Sequence, residues 1–83
     1  MTRVAQLYEH AKQLYIDLGS LADGDTKEVG KPIADVYNTL LGLAKKQFPT
    51  DRVVGVLEPV DEEMHPRVVQ ALVAQLRLVL GNT

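Results

Sequence analysis

Three stretches of this chain repeat apolar side chains at alternating steps of three and four residues. Steps of three and four stack side chains on one face of an α-helix, so the pattern commits the chain to amphipathic helices packed against one another. The expected fold is all-α: a compact bundle of three main helices, at about 3–18, 32–47 and 66–80, with one short helix at about 51–57.

In the first stretch, Val4, Leu7, Tyr8, Ala11, Leu14, Tyr15 and Leu18 form the apolar stripe. Glu9, His10, Gln13 and Asp17 oppose it, and Ile16 is an apolar residue on that wet side. Gly19, then Ala22-Asp23-Gly24-Asp25, supply the expected helix end and turn. The second stripe is Ile33, Val36, Tyr37, Leu40, Leu41, Leu43, Ala44 and Phe48, opposed by Asp35, Asn38, Thr39, Gly42 and Lys46. Pro32 belongs in its first turn, where no amide hydrogen is needed. Asp25 with Glu28 three residues on resembles an N-cap, which predicts a short helical turn before Pro32 or a longer kinked helix.

The segment from Thr50 to Glu58 is ambiguous, because its valines and Gly55 suit a strand as well as a helix. A short helix is expected, capped by Thr50 and facing inward through Val53, Val56, Leu57 and Val60, since no other segment offers a strand a partner. Asp61-Glu62-Glu63-Met64 reads as an acidic helix start, His65-Pro66 as its interruption or the true initiation, and Gly81-Asn82 as the stop. The last helix carries Val68, Val69, Leu72, Val73, Leu76, Val79 and Leu80 on one arc. Ala71, Ala74 and Leu78 lie on the rest, among Arg67, Gln70, Gln75 and Arg77. A helix apolar over so much of its circumference is central to a bundle or covered by a partner. The second and last helices share a plan of acidic cap, proline and long apolar face, which common helix-start chemistry explains without duplication.

Eighty-three residues, 46% of them apolar, suffice for one domain spanning 1–83 and leave little for a large pocket. The absence of cysteine removes disulfides, thiolate zinc sites and a catalytic thiol. It also agrees with a cytoplasmic location. Helical periodicity begins within the first few residues and soon includes Glu9, His10 and Lys12, so no signal-peptide core is expected. No run approaches the ~18 apolar residues of a membrane span.

Charge separates the remaining classes. Nine basic and eleven acidic side chains give a net charge of −2, and the basic ones are scattered. Nucleic acid is therefore an unlikely partner by the chemistry of phosphate neutralisation. The Lys45-Lys46 pair complements a helix C-terminus. A helix-turn-helix joining the helix that ends near Gln47 to the one after Thr50 is the alternative function, but its reading helix offers chiefly Arg52, with Asp51 and Glu58 beside it.

Glu62 and His65 have the i, i+3 spacing used by metal-binding bundles, which makes a carboxylate/His metal protein a third reading; such sites need two pairs and further carboxylates, and this chain has one. Asp23-Gly24-Asp25 fails the calcium-loop test, because positions six and twelve hold Glu28 and Ala34. Ser20, the only serine, has no local histidine partner, and the glycines Gly19, Gly24 and Gly30 lack a phosphate-loop setting. Tyr8, Tyr15 and Tyr37 read as core, with hydroxyls reaching the rim.

These exclusions favour a small non-enzymatic protein-interaction module of regulatory, adaptor or inhibitor type. No cofactor, metal or small-molecule substrate is indicated. Ala71, Ala74 and Leu78, with Ile16 separately, are the candidate partner-binding residues, the partner being another protein or a second copy. Coverage of the Leu78 face by the short third helix is the competing expectation.

Overall fold

The structure is a computed structural model and describes residues 3–81. Four helices occur among the described residues: α1 (Arg3–Asp23), α2 (Lys31–Gln47), α3 (Arg52–Val56) and α4 (Pro66–Gly81). No strand occurs among them. The bundle is built mainly on the pairing of α1 with α4, with α2 packed on α1 and the short α3 resting on α2 and α4. None of these helices is long and apolar enough to cross a membrane.

The periodic stripes become the core. Leu7, Ala11, Leu14 and Leu18 of α1, Tyr37, Leu40, Leu41 and Ala44 of α2, and Val69, Val73, Leu76, Val79 and Leu80 of α4 form one buried cluster. In the α2 and α4 stripes two expected core positions are exposed instead, Val36 and Val68. Ala34, absent from the expected stripe, is buried because a small side chain lets the start of α2 approach its neighbours.

Helix α1 runs five residues past its expected end, through Gly19. A glycine stops a helix by adopting a left-handed conformation, and Gly19 does not adopt one. Its small size serves a close approach: a Cβ there would stand 3.0 Å from Nε2 of Gln70, an amide that donates to the Tyr15 carbonyl at 3.3 Å. The helix is ended by a Schellman arrangement, in which Thr26 N–H donates to Leu21 O (3.1 Å) and Asp25 N–H to Ala22 O (3.3 Å). The left-handed residue is Asp25 (φ 63), although Gly24 precedes it.

No helical turn precedes Pro32. Residues 26–30 lack helical structure, and Val29 and Gly30 donate to Met64 O (2.9 Å) and Glu62 O (3.0 Å), tying this connection to the one before α4. Gly30 caps α2 at φ 83, ψ 162, a conformation nearly closed to other residues.

The ambiguous segment is helical, with its face rotated from the expected one. Asp51, not Thr50, caps α3 by accepting from Val54 N–H at 3.0 Å. Moving the cap by one residue turns Val54 inward and leaves Val53 and Val56 outside, Val56 at 77% exposure. Val54, Leu57 and Val60 supply the burial. Asn38 then clamps the chain beyond α3, donating to Val60 O at 2.9 Å and accepting from Val60 N–H at 2.8 Å.

The acidic run 61–64 lies before α4 as a turn. Asp61 accepts from Glu63 N–H at 2.9 Å, and the helix starts at Pro66 with His65 as its cap, Nδ1 accepting from Arg67 N–H at 3.1 Å. His65 therefore initiates the helix.

Candidate functional site

Antiparallel packing of α1 on α4 brings Asp23 opposite Arg67, Gly19 opposite Gln70 and Tyr8 opposite Gly81. This register opens a groove of about 410 Å³ between the two helices, lined by Tyr8, Tyr15, Ala74, Arg77, Leu78 and Gly81. Gly81 makes room at one end, since a Cβ there would sit 3.2 Å from the Tyr8 ring.

Two of the candidate partner-binding residues, Ala74 and Leu78, line this groove, and Leu78 is 61% exposed. Helix α3 therefore does not cover the Leu78 face. Ala71 is exposed one turn earlier on the same side of α4. Ile16 is exposed too, at 53%, but does not line the groove.

Three lining residues carry polar chemistry that the apolar stripes do not reveal. The Arg77 guanidinium lies 5.0 Å from the Tyr15 ring centre and 5.9 Å from that of Tyr8. Residues seven apart on a helix are displaced by roughly 10 Å along its axis, so the cation occupies the gap between the rings. Cation–π attraction of ~0.5–2 kcal/mol per contact holds it there. Tyr8 and Tyr15 are thus half-buried groove walls rather than interior core. A tyrosine pair at i, i+7 was visible in the sequence, but its meeting with Arg77 depends on the register between helices.

Among the described residues nothing neutralises Arg77. Its Nε is buried with no hydrogen-bond partner among them, and no described carboxylate pairs with it. The acids that do form ion pairs take other cations, Asp23 with Arg67 at 2.7 Å and Asp35 with Lys31 at 3.4 Å. A buried N–H left without an acceptor costs about 1–3 kcal/mol. The two rings compensate part of that cost.

Other concavities are less chemically specific. A hollow of about 390 Å³ between α1 and α2 is lined by His10, Asp35, Val36, Thr39, Leu40 and Leu43, with Asp35 already paired. The hollow at 47–53 is the concave side of one continuous turn. Five-residue α3 exposes a single cation, Arg52. Among the described residues no three His, Asp or Glu side chains gather as a metal site. His65 uses Nδ1 for the α4 cap, and Glu62 receives Gly30 N–H on its backbone carbonyl. Ser20 is an exposed residue within α1.

Comparison with protein-family models, with curated proteins and with solved structures gives no match.

Proposed function

We propose that the protein is a non-enzymatic interaction module of regulatory, adaptor or inhibitor type, working in the cytoplasm, whose α1–α4 groove receives a partner protein or a second copy. The carrying observation is Leu78, 61% exposed in a groove whose walls include two tyrosines and an arginine that no described acid pairs. Tyrosine and arginine are enriched among residues that dominate interface energetics, because each joins a large apolar area to a directed polar group. Their ordering between two helices reduces the entropy lost on association.

Leu78→Asp tests this reading. At an exposed site the substitution leaves folding stability within ~1 kcal/mol. A charge placed in a desolvated interface abolishes capture of the native partner, or self-association in a mass measurement. Association unaffected by the substitution overturns the reading, and so does a collapse of stability that reassigns Leu78 to the core.

A further inference from the structure

The groove's chemistry is asymmetric, and the asymmetry identifies its occupant. We propose that the α1–α4 groove binds an acidic, amphipathic segment of another protein, with an apolar side chain against Ala74 and Leu78 and a carboxylate on Arg77. This inference rests on the interaction-module reading above and adds the partner's chemistry.

Arg77 enters the groove wall from α4 between the Tyr8 and Tyr15 rings, at 5.9 and 5.0 Å. The two rings hold the guanidinium in place, and its planar fork of donors matches a carboxylate in two parallel hydrogen bonds. Nε is enclosed, and Arg77 has no hydrogen bond or ion pair to a described acid. The chain carries a net charge of −2, yet no acid among the described residues pairs with this cation. Helical spacing adds Lys12, exposed one turn from both tyrosines on the same edge of α1, as a second positive charge at the rim. An apolar wall beside two cations is complementary to an apolar side chain beside an acid.

The same charges argue against a second copy. A two-fold contact centred on Leu78 sets each patch against its own copy and brings two Arg77 cations, with no acid in the patch, into one interface. Beside the exposed Val36, Asp35 is already paired with Lys31 at 3.4 Å.

The test uses a displayed library of randomised peptides, selected on the full chain and counter-selected on Leu78→Asp. Groove-dependent peptides should be enriched in Asp or Glu near an apolar residue. A selected peptide should bind Arg77→Gln about 10-fold more weakly than wild type, and replacing its acid by the amide should cost the same against wild type but nothing further against Arg77→Gln. The Arg77 Nε–Hε resonance of the unmodified protein should shift on titration with that peptide, a readout that does not depend on the variant folding.

Groove-dependent peptides without acid enrichment, or an acid preference that survives Arg77→Gln, overturn this inference and leave the interaction module standing. A dimer that dissociates in Leu78→Asp does the same, with a second copy as occupant. Failure to select any Leu78-dependent peptide overturns the inference and, with no partner captured and no self-association in the preceding test, the module reading as well.

Discussion

Replacing Tyr37 by phenylalanine should make the protein more stable, by a margin that grows at alkaline pH. Tyr37 is completely buried, and its hydroxyl has no hydrogen-bond partner among the described residues. An unsatisfied buried polar group costs about 1–3 kcal/mol. Deleting the oxygen leaves a small void worth a few tenths of a kcal/mol at ~24 cal/mol per Å³. Tyr37→Phe should therefore gain about 1 kcal/mol or more at neutral pH, raising the melting temperature by roughly 4–8 °C in a domain of this size.

The pH dependence follows from the same burial, which pushes the Tyr37 hydroxyl up from 10.0 to about 12. Between those values the unfolded chain has released a proton that the folded chain still holds. Stability from the protonated hydroxyl is therefore complete below pH 10.0 and lost as the pH rises through about 12, a total of roughly 2–3 kcal/mol. Urea denaturation of both proteins from about pH 7 to about pH 12 measures the difference, in which contributions common to both cancel. Lower stability of Tyr37→Phe at neutral pH, or a difference that stays flat across the alkaline range, would refute the reasoning and show that the hydroxyl is satisfied.

Asn38→Ala should lose about 1–3 kcal/mol in chemical denaturation, because the Val60 amide and carbonyl lose the partners that the Asn38 side chain supplies. Gly30→Ala should cost about 1–3 kcal/mol by forcing a β-carbon into a glycine conformation, whereas Gly42→Ala should gain about 0.5–1 kcal/mol in the open interior of α2. Opposite shifts of the two melting temperatures check that pair. Asp25→Gly should gain a few tenths to 1 kcal/mol by relieving the left-handed residue that ends α1, with unchanged melting as the contrary result.

Local rules carried the reading where local physics decides. The stripe Leu7-Ala11-Leu14-Leu18 and the proline in the first turn of α2 or α4 follow from spacing and from proline's missing amide hydrogen. Failures occur where another segment intervenes. Gly19 is helical because its space is used by Gln70, and Asn38 leaves the solvent face because Val60 returns to it. Within α3, capped by Asp51 and not Thr50, the buried valine is Val54 in place of Val53 and Val56, a one-residue distinction worth about 100° of rotation, while Leu57 and Val60 face inward as expected. Ala74 and Leu78 were recognisable as surplus apolar residues on α4. Arg77 and the tyrosines were not recognisable as their neighbours, because only the α1–α4 register brings them together.

The central claim is that association is localised to the α1–α4 groove rather than spread over exposed apolar residues in general. A photo-reactive benzophenone amino acid placed at Leu78, and in a second protein at Val56, distinguishes these possibilities, since both positions are exposed and only Leu78 lines the groove. Illumination in extract of the native host should give a discrete adduct from position 78, competed by unmodified protein, and none from position 56. Equal labelling from both positions, or none from position 78, would contradict the account.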